Sequence, residues 1–158
     1  MIALATHSTP AQLWLAAAAA HGGDSPDEQG DHPALQARSL RVLVVEDEFF
    51  ISLHTKGLLN ALGHVVVAVA VSADQAINIA EREQPDVVLM DIRLLGSRDG
   101  IDAAEEIRAR LGIGSIFVTA NTDPQTRRRA EAVRPIGFLE KPLTEQRLRL
   151  GLGGVAGV

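Results

Sequence analysis

Val87-Val88-Leu89-Met90-Asp91 is the stretch on which the reading of this chain turns. Four consecutive apolar residues without polar alternation indicate a strand buried on both faces, as in a parallel sheet covered by helices. A carboxylate closing such a run stands where the strand leaves the sheet, the edge at which open α/β folds place their chemistry. Three other apolar runs close in the same way. Arg41-Val42-Leu43-Val44-Val45 leads into Glu46-Asp47-Glu48, Ser115-Ile116-Phe117-Val118 into Thr119, and Pro135-Ile136-Gly137-Phe138-Leu139 into Glu140-Lys141-Pro142. One sheet edge therefore collects acids, a hydroxyl and an ammonium.

Helical patterns fill the intervals. After the acidic cluster, Phe50, Leu53, Gly57 and Ala61 recur at helical spacing until Gly63, and Phe49, Phe50 and Phe117 are assigned to the core. Val65 to Val71 reads as the second strand. Ser72 with Gln75 predicts a capping box, and Ala73, Ala76, Ile77 and Ala80 share the inner face of the helix that follows, which Pro85 closes. Asp99-Gly100 opens a third helix with Ala103, Ala104, Ile107 and Leu111 inward, ended by Gly112 and Gly114. A fourth, from Asp123 to Val133, is polar, with Arg127-Arg128-Arg129 read as a solvated face and only Ala130 and Val133 apolar. The fifth, Leu143 to Leu150, is brief and runs into Gly151, Gly153 and Gly154.

Strand and helix in strict alternation predict an α/β fold: a flavodoxin-like, doubly wound, five-stranded parallel sheet of order 2-1-3-4-5. Its switch point lies between strands one and three. Those are the strands that deliver Glu46, Asp47 and Asp91.

Composition sets the outer limits. With 158 residues, 46% of them apolar, one ordinary domain plus an appendage is expected. Residues 1–37 differ in kind and are read as an N-terminal extension: a largely disordered tail with a short helix over 11–20 around Trp14, then a linker rich in Gly, Asp, Pro and His. Residues 38–150 form the domain and 151–158 a Gly-rich tail. Of 20 acidic residues, Asp24, Asp27, Glu28 and Asp31 precede the first basic residue, Arg38, which leaves 16 against 15 in the remainder. That near-neutral remainder carries no electrostatic footprint for nucleic acid. Cysteine is absent, which removes disulfides, thiolate catalysis and cysteine-based zinc sites and suits a reducing compartment. The run Leu13 to Ala20 is far short of the roughly 20 residues a membrane span needs. A cytoplasmic location is expected.

Three carboxylates meeting at one edge repel one another unless a cation stands among them. With only oxygen donors available, the cation is a hard one, Mg2+ or manganese rather than zinc. Asp47 and Asp91 are the direct ligands expected, Glu46 acts through water, and the backbone carbonyl of Arg93 adds a neutral oxygen. A carboxylate beside such an ion, faced by an ammonium and a hydroxyl, has the parts to accept a phosphoryl group. Asp91 attacks, Lys141 neutralises charge on the transferring oxygens and Thr119 hydrogen-bonds one of them. Thr119 drawn inward would leave space for Phe138 to turn.

On these motifs the chain resembles the receiver domain of two-component response regulators. The matching text is Val-Leu-Val-Val-Glu-Asp-Glu at 42–48, Val-Val-Leu-Met-Asp-Ile-Arg-Leu at 87–94, Asp-Gly-Ile at 99–101, Phe-Val-Thr-Ala at 117–120 and Gly-Phe-Leu-Glu-Lys-Pro at 137–142. Each piece alone is common; the five in order at these spacings are specific. The resemblance implies that Asp91 is the phosphoacceptor, that Glu46 and Asp47 are the acidic pair for magnesium, and that Lys141 binds the phosphoryl group. It implies Thr119 and Phe138 as a switch pair and a cis peptide between Lys141 and Pro142. It implies, too, a histidine kinase or histidine phosphotransfer protein as donor and a downstream protein as recipient of the signal, with a homodimer left open. Leu95 stands where many receivers have Pro, Gly96-Ser97-Arg98 lengthens the loop after Asp91, and Phe138 replaces the commoner Tyr. The chain stops soon after Leu150, so a stand-alone receiver without DNA-binding or enzymatic effector is expected.

Two alternatives stay in view. A pseudo-receiver would bind partners without phosphate, although such domains tend to lose the acceptor, acids or lysine, which this chain keeps. A phosphatase of the haloacid dehalogenase type needs an acid two residues past the nucleophile, where Arg93 stands. His54 and His64 are read as partly buried surface histidines rather than ligands.

Overall fold

The structure is a computed structural model that describes residues 38–120 and 123–156. The readings placed on residues 1–37, including the helix at 11–20 and Trp14, lie outside the described residues. Strands β1 (Arg41–Val45), β2 (Val65–Ala70), β3 (Val87–Asp91), β4 (Ser115–Thr119) and β5 (Gly137–Glu140) alternate with helices α1 (Phe49–Ala61), α2 (Ala73–Glu83), α3 (Gly100–Leu111), α4 (Pro124–Ala132) and α5 (Glu145–Ala156). The sheet order is β2-β1-β3-β4-β5 and every pairing is parallel. The predicted flavodoxin-like, doubly wound architecture is the one observed.

Strand alternation divides the core in two, because successive side chains point to opposite faces. Leu43, Val45, Val88, Met90 and Phe117 pack with Ala76, Ile77, Ala104 and Ile107 of α2 and α3 and with Ala130 of α4. Val42, Val44, Val87, Leu89, Ile116 and Leu139 pack with Leu59 of α1 and with Leu148 and Leu152 of α5. At an aliphatic burial value of about 25 cal/mol per Å2, these two layers are the main source of stability.

Local signals set most helix ends. Ser72 accepts a hydrogen bond from the Gln75 amide at the start of α2, but the Gln75 side chain accepts from the Val71 amide, one residue before the cap, so the predicted box is only half formed. Asp99 caps α3 in a complete box with Asp102. Asp123 caps α4 with Pro124 at its first position. Gly112 ends α3 in the left-handed region at φ +71°.

Three expectations are corrected. Phe49 and Phe50 are 70% and 81% exposed, not core. The buried stripe of α1 is Ser52, Thr55 and Leu59, and the predicted stripe of Phe50, Leu53, Gly57 and Ala61 is the same helical spacing turned towards solvent. A serine is tolerated inside because its hydroxyl donates to the Phe49 carbonyl. Third, the fifth helix does not stop near Leu150 but continues through the glycines to Ala156, so most of the predicted 151–158 tail is helical. Each helical glycine costs about 1 kcal/mol relative to alanine, and tertiary packing overrides that. Leu148 and Leu152 are buried one turn apart, and a Cβ at Gly151 would come within 2.9 Å of Leu139 Cδ2, so glycine lets α5 lie close against β5.

Candidate functional site

Register and alternation assemble the site. Val45 pairs with Met90, so Glu46 and Asp91 come level at the ends of β1 and β3. Asp91 follows Leu89 by two and Glu46 follows Val44 by two, which puts both on the α1/α5 side. Lys141 follows Leu139 by two and falls on that side as well. Thr119 follows Phe117 by two, on the opposite side, which Phe138 shares. The period of two thus separates a charged group from a hydroxyl and a ring at the same sheet edge.

The charged group closes tightly. Lys141 Nζ lies 2.7 Å from Glu46 Oε2 and 2.7 Å from Asp91 Oδ2. The second Asp91 oxygen accepts from the Arg93 amide at 3.0 Å, and Glu46 Oε1 accepts from the Glu48 amide at 3.2 Å. Burial pushes the Glu46 carboxyl up; the Lys141 hydrogen bond opposes this without cancelling it, and the Asp91 charge adds to it. Burial works against the Lys141 charge too, but two acceptors, Asp91 and Glu46, outweigh it and hold the ammonium above the ordinary lysine value. Burial therefore wins on the acid, which faces a like charge, and loses on the base, which has two partners.

Carboxylate oxygens of Glu46, Asp47 and Asp91 lie within 4.8 Å of one another. An all-oxygen set of this kind fits a hard divalent cation such as Mg2+. Close packing places Asp91: a Cβ at Gly100 would sit 1.8 Å from the Asp91 carbonyl oxygen, so only glycine lets α3 begin there. The Gly100 amide donates to the Ile92 carbonyl and ties the loop back to the strand. The peptide between Lys141 and Pro142 is cis.

The predicted switch residues stand apart from this network. Thr119 is buried, and its hydroxyl donates to the Ala120 carbonyl at 2.6 Å. Phe138 is half-buried, its ring tilted 32° on Phe117 with 5.7 Å between centroids. The Arg127 guanidinium lies over that ring, 3.6 Å from its centroid, in a cation–π contact the sequence reading missed. Only an apolar ring and an arginine eleven residues apart signalled it, a spacing with no local meaning. His64, read as a partly buried surface histidine, is half-buried and accepts from the Leu40 amide through Nδ1.

The two phenylalanines assigned to the core form an exposed patch instead. Phe49 and Phe50 follow the acids directly and pack edge to face at 5.5 Å, with Leu53 exposed one turn on. Beside them is a mainly apolar cavity of about 430 Å3, lined by Phe50, Ile51, His54, Pro142 and Leu143 and reaching Lys141. Adjacent residues on a helix lie about 100° apart and cannot both face one core; two consecutive phenylalanines were the available signal.

No helix among the described residues is long and apolar enough to cross a membrane. Residues 42–152 match the family model of the response regulator receiver domain. The transcriptional regulatory protein PdtaR of Mycobacterium tuberculosis is 34% identical over 66% of this chain and 50% of its own length. The phyllosphere-induced regulator PhyR of Methylorubrum extorquens is 32% identical over 75% and 44%. This chain thus spans about half the length of those curated relatives. Among solved structures, the signal receiver domain of a modulated diguanylate cyclase from Desulfovibrio desulfuricans superposes with a TM-score of 0.72 at 31% identity, over 75% of this chain and 94% of that one. The receiver domain of PhyR from Erythrobacter litoralis gives 0.65 at 32% identity, over 74% and 89%. Fold, motif order and these likenesses agree, and the chain belongs to the response regulator receiver domain family.

Proposed function

We propose that this chain is a phosphoacceptor receiver, taking a phosphoryl group onto Asp91 from the phosphohistidine of a histidine kinase or histidine phosphotransfer protein. The observation that carries this is the position of Lys141, whose ammonium touches both the Asp91 and Glu46 carboxylates. An Asp91 oxygen attacks phosphorus, the phosphorus–nitrogen bond breaks, and its electron pair returns to the donor imidazole. The aspartyl phosphate later yields to water, releasing inorganic phosphate and restoring the carboxylate. Lys141 pairs with the transferring oxygens as charge develops on them, and Thr119 donates to one once its hydroxyl leaves Ala120. Magnesium held among Glu46, Asp47, Asp91 and the Arg93 carbonyl would supply further positive charge there.

The donor docks beside the acceptor. An exposed apolar patch marks an interaction surface, and Phe49, Phe50 and Leu53 with the adjoining groove are next to Lys141. A donor helix seated on them would bring its phosphohistidine to Asp91. The signal then passes by contact to a downstream protein, with no turnover reaction beyond the domain's own phosphorylation and dephosphorylation. Arg93, two residues past the acceptor, has no acidic proton for a leaving group, which disfavours a phosphatase.

The test is acetyl phosphate with magnesium, followed by mass spectrometry. A single phosphoryl gain in the wild type, absent in Asp91→Asn, is expected. No gain favours the pseudo-receiver reading, and a gain that survives the substitution removes Asp91 as the acceptor.

A further inference from the structure

Phe138 has no hydroxyl, so no hydrogen bond can hold its half-buried ring in place. One face of the ring is covered by the Arg127 guanidinium at 3.6 Å, and the ring packs at a tilt of 32° on the fully buried Phe117. Arg127 is aimed by Glu131, one turn along α4, whose carboxylate accepts from Nε at 2.8 Å. Phe138 lines a cavity of about 580 Å3 together with Thr119, Ala120, Arg127, Glu140 and Arg147. Space for the ring to move and a contact that keeps it from moving are thus side by side.

Helix α4 adds a second reason. Ala130 is its one buried residue, so the helix has little apolar surface to hold it to the domain. Its anchors are polar: Arg127 on Phe138, and Arg129 on the capping box of α3, with Nη1 2.8 Å from Asp99 Oδ2 and Nη2 3.2 Å from Asp102 Oδ1. The first of these anchors is the one that a turning ring would break.

We infer that Arg127 is a latch: its cation–π contact holds the Phe138 ring where it stands in the resting domain, opposes phosphoryl capture at Asp91, and is released when the ring turns. This rests on the phosphoacceptor reading and adds a positioning residue to it. A Thr119 hydroxyl that turns to a phosphoryl oxygen leaves its bond to Ala120, and Phe138 follows into the vacated volume. The guanidinium is left without its ring and α4 loses one of its two named polar anchors. Because the resting contact must be broken for capture, removing it strengthens capture by the same factor, as linkage requires.

Beryllofluoride with magnesium serves as the phosphoryl mimic, titrated into the full chain. Arg127→Gln is expected to lower the half-saturating concentration by about three- to fivefold, the worth of an exposed cation–π contact. Arg127→Lys, which keeps the charge but not the flat stack, should fall between. In a Phe138→Leu background Arg127→Gln should add nothing, since the ring it acts on is gone. A merely structural arginine would not tighten the mimic on removal. In the resting protein the Arg127 side-chain protons should be shifted upfield by the ring current and should move back on addition of the mimic. Unchanged or weaker binding by Arg127→Gln, with a wild type that does bind, overturns the latch alone. A wild type that takes up no mimic overturns the phosphoacceptor reading and the latch with it.

Discussion

The pocket at the tips of β1, β3 and β5 and the corner where α4 meets β5 are both held by charge, yet they are held differently. In the pocket, the side chains of Lys141, Glu46 and Asp91 are 16%, 5% and 9% exposed. At the corner, those of Arg127 and Arg129 are 44% and 47% exposed. Water and salt weaken the second set and scarcely reach the first. A buried ion pair costs much to break because the surviving charge is left unpaired. An exposed one opens at little cost. The pocket is therefore built to keep one geometry and the corner to change at little cost, which suits the proposed capture of a phosphoryl group and its report.

Substitutions can break that contrast or sharpen it. The largest effect is expected from Gly100→Ala, whose methyl has no room beside the Asp91 carbonyl. We expect a loss of about 3 kcal/mol or more, read from the urea midpoint at unchanged slope. A variant as stable as wild type would mean that the loop after Asp91 yields as easily as α4.

Next comes Lys141→Met, which strips the ammonium from both carboxylates. Acetyl phosphate labelling should slow about 100-fold, the usual worth of one preorganised donor to a developing charge. An undiminished rate would leave the buried network without a chemical role. At the corner, Arg129→Gln should cost only about 0.5–1 kcal/mol in dilute buffer. In about 0.5 M salt the difference from wild type should largely vanish. A cost that persisted in salt would place the corner with the pocket rather than against it.

The smallest effect is a pH dependence far from both regions. Burial, with the Arg149 charge beside it, holds His64 below its ordinary value of 6.5, and its Nδ1 must stay unprotonated to accept from the Leu40 amide. The unfolded chain thus binds the proton first as pH falls, so this contribution is intact above the ordinary value. It is lost as pH drops through 6.5 towards the folded value. Melting curves at several pH values, compared with His64→Gln, should show the wild type losing more on acidification; parallel curves would remove His64 from the account.

Much of the fold was legible because four strands end in a change from apolar to reactive residues, and because α2 and α3 announce themselves with Ser72 and Asp99 and with alanines at helical spacing. The acidic group was legible for the same reason, since each of its members closes a strand. Helix α1 was harder, because a stripe of Phe50, Leu53, Gly57 and Ala61 and one of Ser52, Thr55 and Leu59 obey the same periodicity. Hydropathy favours the first, but which face turns inward depends on how the helix meets the sheet. In α5, three glycines argued for an end that the fit of Gly151 against Leu139 overrode.

The amino-acid order alone determined the class of fold, the strand sequence and the identity of the side chains at the sheet edge, because periods of 2 and 3.6 act between near neighbours and leave their mark in the text. Only the tertiary structure decided that Lys141 bridges Glu46 and Asp91, that Phe49 and Phe50 face solvent, and that Arg127 covers Phe138. The bridge depends on strand register and the crossovers between strands, the other two on the angle at which a helix settles on the sheet. These are set by the packing of the whole core, and a local stretch of sequence does not contain them.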